Sequence, residues 1–366
     1  MSKINIPSPT QADLTHDART ARGTRRRWVG LRRWRVLLLA AVLAAAALPL
    51  LLQGCGTSAK LPPQGKGEPV LHRDYAIMPD SYELPLATWR PQGAPTAVVL
   101  ALHGFNDYHN AFRNVGPHLA QYGAITYAYD QRGFGATATR GEWAGTEALV
   151  YDAQQMIGLL QVEYPDLPLF VMGESMGGAV LITTLSRADA PDVDGAILIA
   201  PAVWARTTMN PFQRAALWVV SRLLPEREVT GRGLSITPSD NIAMLREQGR
   251  DPLVIKQTRI DALNGIVTLM DEALASARKL KAPALILYGA RDEIIPKRPT
   301  CHMIATLPRD PGPRWRLAYY PDGYHMLTRD LQGPVVLEDI GAWIGDPGSP
   351  LPSGQEAADG GSPTFC

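Results

Sequence analysis

Residues 169–178, "LFVMGESMGG", decide the fold of this chain. Within them, "GESMG" fits the GxSxG pattern, in which a strained turn between a strand and a helix lifts a serine hydroxyl above a sheet. The serine is Ser175. Because glycine is abundant in the chain, three fixed letters can also match by accident, so the flanking sequence must decide between a nucleophile and a glycine-rich loop.

The sequence on both sides of Ser175 agrees with such a turn. Residues 167–172 form a short apolar run typical of a buried strand, and residues 176–187 carry apolar side chains at helical spacing. Glycines stand at positions 173, 177 and 178, where the turn brings backbones close together. The stretch therefore predicts a strand, a nucleophile turn and a helix, in that order.

Five other short apolar runs resemble the strand before Ser175. They are β-branched or aromatic and are bounded by turn residues: 96–102, 124–129, 195–200, 283–289 and 316–320. Helical segments such as 146–162 separate most of them, which predicts an α/β fold with a mostly parallel central sheet flanked by helices. Before the first run, residues 75–89 predict a hairpin that turns at residues 79–80.

The alternation of strands and helices stops between residues 201 and 281. Two helical segments, 211–225 and 261–280, occur there with no strand run between them. This length far exceeds that of a usual connection. We therefore expect a helical cap insertion, about 201–281, over the carboxyl ends of the strands, where open α/β sheets bind ligands. The alternative is that these helices pack on the flank of the sheet.

A nucleophilic serine needs a base that takes its proton. Only two histidines follow Ser175 in the chain, His302 and His325. His325 comes just after the last strand run, at the sheet edge where the nucleophile turn is expected, whereas His302 lies in a predicted helix and suits its surface. We predict that His325 is the catalytic base.

The base needs a carboxylate that fixes its tautomer. Asp292 follows the run 283–289 and fits the order Ser, Asp, His of the α/β hydrolases, so we predict that Asp292 fills this role. Three other acids compete. Asp322 is better interpreted as a turn residue close to His325, and Glu293 and Asp330 as solvated side chains.

The oxyanion of the transition state needs hydrogen-bond donors. One is expected to be the backbone N–H of Met176, at the start of a helix, and the other the backbone N–H of Phe105, in the loop after the run 96–102. His103 stands in the same loop but precedes Ser175, which is the wrong order for a base. We expect it to hold the loop by a side-chain hydrogen bond.

Five motifs together resemble the monoacylglycerol lipase and lysophospholipase branch of the α/β hydrolases, also labelled the serine aminopeptidase S33-like group. They are "HGFNDY" (103–108), "YDQRGFGAT" (129–137), "GESMGG" (173–178), "GARDEIIP" (289–296) and "DGYHML" (322–327). The resemblance covers about residues 70–344 and implies an α/β-hydrolase fold. It also places residues 240–254 in a cap that forms an acyl tunnel.

The reaction implied is two-step acyl transfer to water, with no cofactor and no metal. Expected substrates are carboxylic esters, of the monoacylglycerol or lysophospholipid type. A peptidase or amidase would use the same triad, so the triad itself does not separate ester from amide. The remaining alternative is a non-catalytic binding protein of the cell envelope.

The first 55 residues have the layout of an export signal. Arginines precede the uncharged stretch 36–52, and the following "LQGC" resembles a bacterial lipobox. We expect residues 1–54 to be a signal peptide, Cys55 to be lipidated, and residues 55–69 to be a flexible tether. The mature chain would then be a lipoprotein anchored to a membrane of the bacterial envelope, facing the periplasm or the exterior. An uncleaved transmembrane anchor is the alternative.

Composition limits the remaining possibilities. The formal net charge is +1, which gives no electrostatic argument for a nucleic-acid partner. No Cys/His cluster suggests zinc, and Cys301 and Cys366 could pair in an oxidising compartment, although the sequence does not decide this. The glycine- and proline-rich residues 345–366 are expected to be a disordered tail.

Overall fold

The structure is a computed structural model that describes residues 65–231, 233, 235–310, 314–357 and 366. The expected signal peptide, the expected lipidation site Cys55 and the expected tether as far as residue 64 lie outside these residues. In the part of the chain that is described, no helix has both the length and the hydrophobicity to cross a bilayer.

Eleven strands and eight α-helices make up the described fold. The strands are β1 (Val70–Leu71), β2 (Tyr75–Ile77), β3 (Glu83–Trp89), β4 (Ala97–Leu102), β5 (Ala124–Tyr129), β6 (Leu169–Glu174), β7 (Gly195–Ile199), β8 (Glu228–Val229), β9 (Thr258–Arg259), β10 (Ala284–Gly289) and β11 (Trp315–Tyr320). The helices are α1 (Val115–Gln121), α2 (Thr146–Glu163), α3 (Met176–Leu185), α4 (Pro211–Leu223), α5 (Ile242–Arg250), α6 (Ile260–Ser276), α7 (Lys297–Thr306) and α8 (Gly333–Gly345).

Nine of these strands form one sheet, in the order β1-β2-β3-β5-β4-β6-β7-β10-β11. The six from β5 to β11 run parallel, and β1, β2 and β3 add an antiparallel edge. All six predicted strand runs and the predicted hairpin are confirmed, with shifts of at most two residues at their ends. Most of the parallel strands are buried on both faces, which is why they appear in the sequence as unbroken apolar runs.

Two apolar cores lie on the two faces of the sheet. On one face, α2, α3 and α6 pack against each other and against the strands. On the other face, α1 and α8 pack together, with the fully buried Trp343 of α8 edge-on to Phe170 of β6. The sheet is thus covered on both sides, and the carboxyl ends of its strands are free to carry the loops of a site.

The expectation of an all-helical cap over 201–281 is wrong in two respects. Helix α6 belongs to the flank of the sheet, because Leu269 and Ala273 on its apolar stripe are fully buried against α3. In addition, β8 and β9 form a short antiparallel pair. At two residues each, these strands are too short to leave a periodic signal in the sequence. The inserted cap is therefore shorter, and we use this name for residues 204–259, which contain α4 and α5.

The expected disordered tail is also wrong for residues 346–357. Glu356 forms an isolated bridge with Ala318 of the edge strand β11, and its carboxylate accepts from the guanidinium of Arg316 at 2.6 and 2.7 Å. Leu351 is buried. Composition failed to predict this because the tail has no core of its own and depends on a strand edge that the rest of the fold supplies. Farther along, Cys366 forms a disulfide with Cys301.

Candidate active site

Ser175 occupies the turn between β6 and α3 with a backbone φ of 52° and ψ of −110°. A non-glycine residue rarely adopts a positive φ, and such strain persists only when neighbouring structure enforces it. The backbone N–H of Ser175 donates to the carbonyl of Ile199 at 2.9 Å, and its carbonyl accepts from Ala202 N–H at 2.9 Å. At Gly177 a Cβ would lie 2.0 Å from the carbonyl oxygen of Leu102, so only glycine fits. The structure therefore has the strained turn that the sequence predicts.

His325 and Asp292 are brought together from the loops after β11 and β10. The distance from His325 Nδ1 to Asp292 Oδ2 is 2.8 Å, and both residues are buried. The other oxygen of Asp292 accepts from the backbone N–H groups of Ile294 at 2.8 Å and Ile295 at 2.9 Å, which fixes the carboxylate. Because a carboxylate only accepts, Nδ1 donates the proton and Nε2 is left to accept one.

The charges around His325 raise the pKa of its imidazole. Burial is the largest single influence and lowers the pKa of this imidazole, but the charge and hydrogen bond of Asp292 together with the charge of Glu174 outweigh it, and the pKa of His325 is raised above its ordinary value. A raised pKa strengthens the base.

Ser175 and His325 line the same cavity, which has a volume of about 400 Å³. Helix α5 of the cap covers part of it through Leu245 and Gln248. Phe105 lines it as well, and a Cβ on Gly104 would lie 3.5 Å from the Cβ of Ser175, so the loop after β4 passes close to the nucleophile turn. The predicted nucleophile, the predicted base and the loop of one expected oxyanion donor thus line one cavity.

Met176, the other expected donor, is the first residue of α3 and is fully buried. Backbone N–H groups in the first turn of a helix have no partner within the helix, so the N–H of Met176 is of the type that can bind an oxyanion. The oxyanion roles of Met176 and Phe105 stay predictions.

A family model described as "Serine aminopeptidase, S33" matches residues 93–332. The chain belongs to this S33 family. It is similar to "Monoacylglycerol lipase" of Mycolicibacterium smegmatis, at 25% identity over 268 residues that cover 70% of this chain and 90% of the relative. It is also similar to "Monoglyceride lipase" of Homo sapiens, at 27% identity over 272 residues that cover 70% of this chain and 84% of the relative.

Solved structures resemble this S33 protein in fold. A soluble variant of monoglyceride lipase from Saccharomyces cerevisiae, in complex with a substrate analog, matches with a TM-score of 0.64 at 21% identity, covering 75% of this chain and 94% of that one. A thermostable carboxyl esterase from Bacillus coagulans, in complex with glycerol, matches with a TM-score of 0.61 at 19% identity, covering 75% and 96%. The predicted α/β-hydrolase fold is confirmed.

The two other histidines considered from the sequence have clear positions. The Nε2 atom of His103 accepts from the backbone N–H of Gln131 at 2.9 Å, so its Nδ1 donates to the carbonyl of Gly104 at 2.8 Å. Burial lowers the pKa of His103, which keeps the ring neutral. Its predicted role of holding the loop is confirmed, and His302 is exposed on α7 as expected.

Two of the three rival acids of this S33 protein lie where the sequence placed them, and one does not. Glu293 is exposed, and Asp322 forms an exposed ion pair with Arg291. The expectation that Asp330 is solvated is wrong. Asp330 is buried and accepts from the backbone N–H of Tyr324 at 2.7 Å, which supports the residue next to His325, and burial raises the pKa of Asp330 to about 6.

Sequence reasoning missed Arg329, four residues after His325. Its Nη1 lies 2.7 Å from Asp107 Oδ2 in the loop after β4, and its Nη2 lies 2.6 Å from Glu174 Oε1, next to Ser175. The only sequence signal was a charged residue, Glu174, in the middle of an otherwise apolar turn, since a buried carboxylate needs a cation nearby.

In the part of the chain that the structure describes, neither a metal-binding cluster nor the larger cavity near β11 offers a second site of this kind. Within the described ranges, no group of three or more His, Cys, Asp or Glu side chains could hold a metal ion. A larger cavity of about 580 Å³ lies away from the triad, near the start of β11, and is lined by basic side chains including Arg278, Lys281 and Arg314. No histidine is among its lining residues, so it offers no base for a serine.

Proposed function

We propose that this S33 protein hydrolyses carboxylic esters of the monoacylglycerol type through an acyl-enzyme on Ser175. The observation that carries the proposal is that a serine on a strained turn and a histidine paired with a carboxylate line the same cavity. The relatives named as monoacylglycerol and monoglyceride lipases support the substrate class.

Each residue of the site has one role in the hydrolysis of the ester. Nε2 of His325 takes the proton of the Ser175 hydroxyl as its oxygen attacks the ester carbonyl, and Asp292 stays ionised and stabilises the imidazolium. The N–H groups of Phe105 and Met176 donate to the developing oxyanion. The intermediate then expels the alcohol, which takes the proton from His325. A water molecule activated by His325 releases the acid in the second half of the reaction.

The cavity suits an apolar acyl chain beside a small polar group. Its volume of about 400 Å³ is within the ordinary range of ligand pockets, about 300–1,000 Å³. Apolar side chains line it from the core and from the cap: Phe105, Leu245, Val254, Ile294 and Met326. Its charged lining side chains are Asp107, Glu174 and Arg329, which the guanidinium of Arg329 joins, together with Lys256.

The peptidase alternative requires a carboxylate that can bind a free ammonium group. The carboxylates that line the cavity are Asp107 and Glu174, and both already accept from the guanidinium of Arg329. Oε2 of Glu174 has no hydrogen-bond partner among the described residues, but the guanidinium neutralises much of the negative charge that would attract a substrate amine, and this favours ester hydrolysis over an aminopeptidase activity.

The test compares substrates on one preparation. We expect release of oleate from monooleoylglycerol and little release of arylamine from aminoacyl arylamides, with Ser175→Ala inactive on both. Faster cleavage of the arylamide would overturn the ester proposal in favour of a peptidase. Absence of both activities, together with no labelling by a fluorophosphonate, would favour the binding-protein alternative.

We also propose that the enzyme works at a membrane of the bacterial envelope, tethered through a lipidated Cys55 after removal of residues 1–54. The outer surface of α4 supports this placement: Phe212, Val219 and Leu223 are exposed along one side of the helix, and the only charged residues of this helix are Arg214 and Arg222. An apolar face with flanking arginines suits the interface of an anionic bilayer. The Cys301–Cys366 disulfide supports an oxidising compartment.

Fractionation of cells that express Cys55→Ala tests the tether. We expect the variant to leave the membrane fraction and to stay active, whereas full membrane retention would favour the uncleaved anchor. A second variant, Phe212→Ser with Leu223→Ser, is expected to weaken the binding of soluble enzyme to anionic vesicles. Unchanged vesicle binding would remove α4 from the proposal.

A further inference from the structure

We propose that Arg329 is a positioning residue of the hydrolase site, which holds the loop of Phe105 and the turn of Ser175 in register with His325. The inference rests on the proposed ester hydrolysis. Arg329 belongs to the segment that follows His325, and it reaches the other two segments through Asp107 and Glu174.

The geometry joins three parts of the chain that carry the chemistry. Asp107 is two residues after Phe105, Glu174 directly precedes Ser175, and Arg329 is four residues after His325. The two hydrogen bonds of the guanidinium span 222 and 155 positions of sequence. A displacement of any one segment would therefore break a bond to the others.

Burial makes this arrangement costly to break. The side chains of Arg329, Asp107 and Glu174 are 8%, 8% and 2% exposed. A buried charge that loses its partner is strongly unfavourable, so the three groups hold one arrangement. A guanidinium carries donors on separate nitrogens in a rigid plane, which lets it bind both carboxylates at once, whereas an ammonium is a single point charge on a flexible stem.

The same cluster extends to the cap. The side-chain amide of Gln248 on α5 donates to Asp107 Oδ2 at 3.0 Å, the oxygen that also accepts from Arg329. Asp107 Oδ1 accepts from the backbone N–H of Tyr108 at 3.0 Å, which fixes the carboxylate within its own loop. Arg329 thereby supports the loop of the expected oxyanion donor at the point where the cap contacts it.

Charge and position can be separated at His325. The negative charge of Glu174 raises the pKa of His325 and the positive charge of Arg329 lowers it. The charged groups around this imidazole and its cavity are Asp107, Glu174, Lys256, Asp292, Arg329 and Asp330. Removing either charge of the Arg329–Glu174 pair should move the pKa of His325, in opposite directions.

The test is the pH profile of kcat/KM for a p-nitrophenyl ester, measured on the wild type, Arg329→Met, Glu174→Gln and the double variant. Since the base acts in its neutral form, the acidic limb reports the pKa of His325. We expect the limb to move to higher pH in Arg329→Met, to lower pH in Glu174→Gln, and to lie near the wild-type position in the double variant. Loss of packing alone would not give shifts of opposite sign.

Arg329→Lys tests positioning with the charge retained. We expect its acidic limb to stay near that of the wild type while kcat/KM falls by about 10²-fold, because a small displacement of reacting groups has an effect of that size. Arg316→Met is the matched control, because Arg316 also forms a bidentate pair with a carboxylate, that of Glu356. Arg316 lies near the start of β11, whereas His325 follows the other end of this strand. The kcat/KM profile of Arg316→Met should match that of the wild type.

The outcomes are distinguishable. An inactive wild type would contradict the proposed function itself. An active wild type, with Arg329→Lys as efficient as wild type and an unmoved acidic limb in Glu174→Gln, would overturn the role of Arg329. If Arg329→Met does not fold, Glu174→Gln and Arg329→Lys decide whether Arg329 positions the site. Glutamine keeps the shape of Glu174 and an acceptor oxygen, and lysine keeps the positive charge of Arg329.

Discussion

Nδ1 of His325 lies 2.8 Å from Oδ2 of Asp292, although 33 positions separate the two residues in the chain. They meet because β10 and β11 are adjacent and parallel, so the loops after both strands leave the sheet at the same edge. The Ser175 turn leaves β6 at that edge too. The site is therefore a consequence of strand direction, which brings the predicted nucleophile, base and carboxylate from three separate segments to one edge of the sheet.

Asp292→Asn should inactivate the enzyme without altering its shape. The backbone N–H groups of Ile294 and Ile295 donate to Oδ1, so the amide oxygen should take that position and the NH₂ group should face His325. The imidazole would then carry its proton on Nε2, the wrong tautomer for a base. We expect kcat to fall by about 10⁴-fold. Asp322→Asn, at an exposed acid, should stay active, and an Asp292→Asn variant of comparable activity would assign the role to another acid.

The pH dependence of the wild type follows from the raised pKa of His325. The base must be neutral, so we expect the acidic limb of kcat/KM above pH 6.5, the ordinary pKa of a histidine. The same pKa shift stabilises the folded state below pH 6.5, and this contribution is lost as the pH rises through the folded-state pKa of His325. A limb at or below pH 6.5 would contradict the assigned environment.

The strained backbone of Ser175 should be measurable as a stability difference. Ser175→Gly and Ser175→Ala both remove the hydroxyl, but only glycine adopts a φ of 52° without steric cost. We expect the glycine variant to be more stable than the alanine variant by about 1 kcal/mol in urea unfolding. Equal stabilities would mean that the turn is not strained in solution.

Reduction of the Cys301–Cys366 disulfide should destabilise the fold. The bridge closes a segment of 65 positions, for which loop entropy gives a stabilisation of about 4 kcal/mol. Urea unfolding with and without dithiothreitol measures it, and Cys301→Ser with Cys366→Ser is the control that should not respond to the reductant. An equal response in both proteins would show that the bridge does not stabilise the native state.

The parts of this protein that sequence predicts well are those with a local signature. A buried parallel strand has a continuous apolar run, and the turn at Ser175 has its glycines, so the residue order alone locates both. His325 and Asp292 could be chosen because each follows such a run. For these two residues, the position after an apolar run in the sequence also gives the position at the carboxyl end of a strand in the fold.

The features that sequence did not predict depend on partners far along the chain. Nothing near Arg329 shows that it meets Asp107 and Glu174, and nothing near Glu356 shows that it meets Arg316 on an edge strand. The assignment of α6 to the cap failed for a related reason. An apolar helix face indicates burial but not the surface that buries it.

The most direct test of the central claim is mass-spectrometric mapping of the adduct formed by a fluorophosphonate. We predict one phosphonylated residue, Ser175, in the wild type, and loss of nearly all labelling in His325→Ala. Ester hydrolysis should be lost to about the same extent in Ser175→Ala, in His325→Ala and in the double variant, because triad residues act as a unit. An adduct on a different serine, or undiminished labelling of Ser175 in His325→Ala, would contradict the account.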